Sequence, residues 1–124
     1  MLAPVGIATI LLVEDDADLR DMYKQALLIS RYSVAVAGDG LTALALLEAE
    51  KPDAVILDLG LPRVSGWDVY RDLRSRPETA TLPVIIATGN DLRDIHPRDL
   101  VSFLKKPISP EAVAVAVEKA LVRL

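Results

Sequence analysis

The stretch ILLVEDDADLR, residues 10–20, sets four aliphatic side chains directly against three consecutive acids, Glu14, Asp15 and Asp16. A run of apolar residues without alternation suits a strand covered on both faces, as in a parallel sheet. Similar runs recur as IATILLV (7–13), YSVAVA (32–37), DAVILDL (53–59), PVIIAT (83–88) and LVSFLK (100–105). Between them the spacing changes to that of helices. Leu19, Met22, Tyr23, Ala26 and Leu27 line one face in the first gap, and Val113, Ala116, Val117, Ala120, Leu121 and Leu124 line one after the last run. GDGLTALALLEAEKPD is closed by Pro52, and SGWDVYRDLRSRP is opened by Ser65 as an N-cap and closed by Pro77. Strand and helix thus alternate five times. Short connections then imply right-handed crossovers and an α/β fold with a single five-stranded parallel sheet flanked by five helices.

Composition narrows the chemistry. With 124 residues, 52% hydrophobic and 26% charged, the chain has the size and balance of one globular domain. Residues 1–6 read as a leader before the first strand, without the basic region and cleavage site of a signal peptide, and the following apolar run meets acids too soon to span a membrane. Cysteine is absent, which excludes disulfides and thiolate chemistry and suits a cytoplasmic setting. The net charge is −4 and the fourteen Lys and Arg are scattered, so no basic stripe offers itself to nucleic acid.

Ligands of open α/β sheets bind beyond the carboxyl ends of the strands, where the strand order reverses. In a sheet of order 2-1-3-4-5, the first and third strands meet at that point, bringing Glu14 and Asp15 to Asp58. Carboxylates ~4 Å apart repel by roughly 1 to 4 kcal/mol, a cost that a cation removes. An all-oxygen donor set favours Mg²⁺. Acids after a strand also serve as helix caps, the part expected of Asp16 or Asp18. The fourth run ends in Thr88-Gly89 and the fifth in Lys105-Lys106-Pro107. Separately these suit a turn and a solvated strand exit. Together with the acids they supply a nucleophile, a hydroxyl donor and a fixed cation, the requirements of phosphoryl transfer.

The segments LLVEDD, LDLGLPRVSG, LPVIIATG and FLKKP, in that order, resemble the receiver domains of response regulators in two-component signalling. The likeness runs over nearly the whole chain, so residues 1–124 are expected to form one receiver domain of flavodoxin-like fold. The 2-1-3-4-5 order is itself the receivers' order and rests on this resemblance. The resemblance implies that Asp58 accepts a phosphoryl group from a phosphohistidine on a histidine kinase or histidine phosphotransfer protein. Mg²⁺ would lie on Asp15, Asp58 and the Gly60 carbonyl, with Glu14 acting through water. Lys106, beside Pro107 across a cis bond, would pair with the acceptor carboxylate, leaving Lys105 pointing away. Thr88 would bond the phosphoryl group and move inward. Phe103 stands at the switch-aromatic position, though an ordinary core Phe fits there equally. Gly89 would leave the phosphoryl group open, and the family tunes its lifetime at the positions of Gly60 and Asn90.

The sequence departs from the family between Thr88 and Phe103, where TGNDLRDIHPRDLVSF leaves room only for a shortened fourth helix ended by His96-Pro97. His96, the only histidine, has no partner for metal or phosphoryl chemistry and reads as a surface residue. Trp67 and Tyr70 stand at i, i+3 on a helix and read as packing. The last helix could mediate contact with a second copy. The expected output is a contact with a downstream protein target. The alternative is a pseudo-receiver that uses the fold as a phosphorylation-independent interaction module. A true enzyme with an aspartyl intermediate or a bound nucleotide would be a third reading, but G-x-G-x-x-G and G-x-x-x-x-G-K-[ST] are both absent.

Overall fold

The computed structural model describes residues 7–89 and 101–122. Within them the elements run β1 (Thr9–Val13), α1 (Ala17–Ile29), β2 (Ser33–Ala37), α2 (Gly40–Glu50), β3 (Ala54–Leu57), α3 (Gly66–Ser75), β4 (Val84–Thr88), β5 (Val101–Lys105) and α4 (Pro110–Val122). The strands are parallel throughout and ordered β2-β1-β3-β4-β5. Four helices are therefore described where five were expected. The expected shortened fourth helix, His96 and Asn90 lie outside the described residues.

Alternation along each strand divides the core between the two sheet faces. Leu11, Val13, Val55, Leu57, Val84 and Ile86 pack with Ala43 and Leu47 of α2 and Val69 and Leu73 of α3. Ile10, Leu12, Ala54, Ile56, Ile85 and Ala87 pack with Tyr23 and Leu27 of α1 and Val113, Val117 and Ala120 of α4. The chain starts mid-sheet, moves out to β2, then crosses back past β1 to β3. Right-handed crossovers in opposite directions put α1 and α2 on opposite faces, so the loops after β1 and β3 diverge and leave a crevice between them.

Local signals set the helix starts. The Asp16 side chain accepts from the N–H groups of Asp18 and Leu19, and that of Asp39 from Thr42. Ser65 and Asp68 form a reciprocal capping box at α3. The expected α1 face was too wide: Tyr23 and Leu27 are buried and Leu19 and Ala26 partly so, but Met22 is exposed. Met22 instead lines a groove between α1 and α4 with Ala26, Ile29 and Pro110. Among the described residues, the buried Tyr23 hydroxyl has no hydrogen-bond partner. Trp67 and Tyr70 meet edge to face at 6.2 Å, so they pack as expected.

Candidate functional site

The crevice gathers groups from three strand ends. Val13 and Leu57 are register partners on β1 and β3, so the residues just beyond them, Glu14 and Asp58, come together. The Asp58 N–H donates to the Val13 carbonyl at 3.1 Å and the Glu14 N–H to the Ala37 carbonyl at 3.0 Å, carrying the sheet ladder one step into the site. Glu14 and Asp58 are buried, whereas Asp15 is exposed. Each of the three presents a carboxylate oxygen, all within 4.8 Å of one another.

Lys106 balances this charge. Its Nζ donates to Glu14 Oε1 and, at 3.0 Å, to Asp58 Oδ2, while the Gly60 N–H donates to Asp58 Oδ1 at 3.0 Å. Both Asp58 oxygens are thus engaged, and the carboxylate is held in one orientation. The Lys106-Pro107 bond is cis. Lys105 is exposed, as the alternation along a strand requires. Burial alone would lower the Lys106 ammonium, but its bonds to Glu14 and Asp58 outweigh that and hold it above its ordinary value. Glu14 is the more buried partner: desolvation raises its carboxyl above the usual range, against the opposing pull of Lys106 and the Asp16 N–H.

Thr88 is buried at the end of β4, Gly89 is exposed, and a Cβ on Gly89 would meet nothing within 4 Å among the described residues. Phe103 is partly buried against the core cluster that holds Leu57 and Ile86. A feature that sequence reasoning missed explains Gly66. A Cβ there would lie 2.2 Å from the Asp58 carbonyl oxygen and 2.6 Å from Leu59 Cα. A bare glycine lets the start of α3 sit directly against the backbone of Asp58. The SG pair looked like a simple cap, because close backbone approach leaves no mark in the sequence beyond glycine itself.

Among the described residues, the arrangement is an acid trio with one ammonium, and the buried Thr88 accepts through its backbone carbonyl from the Lys106 N–H at 2.9 Å. The chain matches the response regulator receiver domain over residues 10–118. It belongs to that family. The receiver is 36% identical over 119 residues to "Probable transcriptional regulatory protein TcrX" of Mycobacterium tuberculosis, covering 93% of this chain and 50% of that protein. It is 42% identical over 82 residues to the response regulator MprA of Mycolicibacterium vanbaalenii, covering 66% of this chain and 35% of that one. The receiver thus spans half or less of the curated relatives it matches. Its fold superposes on the signal receiver domain of a LuxO repressor protein from Vibrio parahaemolyticus with a TM-score of 0.81 and 33% identity, covering 94% of this chain and 92% of that one. Among the described residues, no helix is long and apolar enough to cross a membrane.

The residues fit a hard divalent cation. Among the described residues, three carboxylates converge with oxygen donors alone, and one ammonium offsets part of their repulsion.

Proposed function

We propose that this receiver accepts a phosphoryl group on Asp58 from a phosphohistidine of a histidine kinase or histidine phosphotransfer protein, in a Mg²⁺-dependent reaction. The observation that carries this is the grip on Asp58: a buried carboxylate held by Lys106 and the Gly60 N–H, beside two further acids. An Asp58 oxygen attacks phosphorus, the phosphorus–nitrogen bond breaks, and the imidazole leaves. Lys106 keeps the carboxylate aimed, then neutralises a phosphoryl oxygen, a role for which a fixed cation needs little reorganisation. Thr88 donates its hydroxyl to the new phosphoryl group, and Phe103 follows as its switch partner. Asp15, Asp58 and the Gly60 carbonyl would hold Mg²⁺ directly and Glu14 through water. When bound, the ion would supply positive charge to offset the negative charge of the acceptor site.

Residues 1–124 act in this reading as one cytoplasmic receiver that signals through contacts with a downstream protein, and its only catalysis is its own phosphorylation and dephosphorylation. TcrX is named as a transcriptional regulator, and a similar output in a parent protein suits the relatives' greater length. The test is intact mass after incubation with Mg²⁺ and acetyl phosphate or phosphoramidate. The wild type should gain one phosphoryl group, and Asp58→Asn none. No gain in the wild type across donors and pH would favour the phosphorylation-independent interaction module.

A further inference from the structure

The three acids are not held alike. Glu14 is fixed through its side chain by Lys106 and by the Asp16 N–H at 3.2 Å, and Asp58 by Lys106 and the Gly60 N–H. Among the described residues, the Asp15 carboxylate has no hydrogen bond and is exposed. Its direction therefore depends on the backbone that carries it. That backbone is gripped by Arg20, one turn into α1. Arg20 Nη1 donates to the Glu14 carbonyl at 2.9 Å and makes a longer contact with the Asp15 carbonyl at 3.5 Å. The same guanidinium lies over the bare backbone of Gly38, where a Cβ would come within 3.1 Å of Nη1. Arg20 thus lies between the loop after β1, which it holds, and the loop after β2.

We infer that Arg20 is a positioning residue that aims the Asp15 carboxylate at the divalent cation by holding the carbonyls of Glu14 and Asp15. The inference rests on the metal-dependent reading above. Both contacts come from one guanidinium nitrogen, Nη1, whose two N–H groups can serve the two adjacent carbonyls while the planar group keeps its direction. Charge alone works in the opposite direction, because a cation near the site repels Mg²⁺ and its removal should tighten binding. The sign of the effect separates positioning from simple electrostatics.

The experiment is Mg²⁺ titration by calorimetry on the full chain, with melting temperatures recorded with and without Mg²⁺, for wild type, Arg20→Met, Arg20→Gln and Arg20→Lys. Groups that orient metal ligands typically contribute a factor of ten or more in affinity. Arg20→Met and Arg20→Gln should bind Mg²⁺ about tenfold more weakly and show a smaller Mg²⁺-induced melting shift, and Arg20→Lys should recover part of the loss. Affinity that is unchanged or tighter in whichever of the Met and Gln variants folds overturns the inference, even if metal-free melting falls. A wild type that binds no Mg²⁺ overturns the metal-dependent reading as well, so the two failures are distinguishable.

Discussion

Lys106 and Arg74 are both partly buried cations at opposite ends of the sheet, and they differ in what they hold. Lys106, at the carboxyl edge, donates to the ionisable side chains of Glu14 and Asp58. Arg74, in the last turn of α3, donates to the backbone carbonyls of Thr79, Ala80 and Leu82 at 3.3, 3.2 and 2.7 Å and stacks on the Tyr70 ring with its Cζ 5.1 Å from the centroid. Backbone carbonyls are neutral dipoles that do not titrate under ordinary conditions, so Arg74 is a permanent brace for the chain entering β4. Carboxylates can be protonated, phosphorylated or covered by a metal, so the grip of Lys106 changes with the state of the site. A buried cation stabilises a fold when its acceptors are fixed and tunes a site when they are not.

The largest expected effect is at Lys106. Lys106→Met should abolish phosphoryl gain by mass and, without metal, cost about 3 kcal/mol in urea unfolding, the low end for breaking a buried ion pair because Glu14 can take up a proton. Mg²⁺ should recover much of that loss by replacing the missing positive charge. A loss equally large with Mg²⁺ would break the contrast between the two cations. Arg74→Met comes next, with a cost of about 2 kcal/mol from stranded carbonyls. That cost should be the same with and without Mg²⁺, and phosphoryl gain should be intact; a Mg²⁺-dependent cost would show that the brace reaches the site.

The smallest effect is the pH dependence of metal-free stability. Burial raises the folded carboxyl of Glu14 above its ordinary 4.5, so between 4.5 and the folded value the folded state holds more protons than the unfolded. Glu14 therefore makes stability decline as pH rises through that window. The raised Lys106 works at the alkaline end, where its contribution is complete below 10.5 and is lost as pH rises through the folded value. Urea midpoints across pH for wild type and Glu14→Gln should differ mainly in the acidic slope, which the variant flattens; parallel curves would remove Glu14 as its source.

The strands were legible because both faces of the sheet are covered, and continuous apolar runs ended by acids mark both the element and its functional end. The structure trims those runs, with β3 assigned only to Ala54–Leu57 although the Asp58 N–H still donates to the Val13 carbonyl. The acids, Thr88 and Lys106 were legible as strand-end residues, and the family resemblance chose Lys106 over Lys105. Arg20 and Arg74 were not legible. An arginine on a helix reads as solvated, and backbone carbonyls as partners have no sequence signature. Met22 was misplaced for a related reason: helical spacing identifies a face, but the width of the stripe that is covered depends on where α4 packs.

Among the described residues, Lys106 follows β5, which pairs only with β4, whereas the acids follow β1 and β3, each paired on both sides. In terms of amide exchange, an edge strand opens at lower free energy than the strands inside it. The counter-charge is therefore carried by the more readily released part of the sheet and the acids by the less readily released part. Detachment of β5 from β4 would withdraw the ammonium while β1 and β3 kept Glu14, Asp15 and Asp58 in register, leaving for that interval a trio of carboxylates whose strongest remaining partner is a dissolved cation.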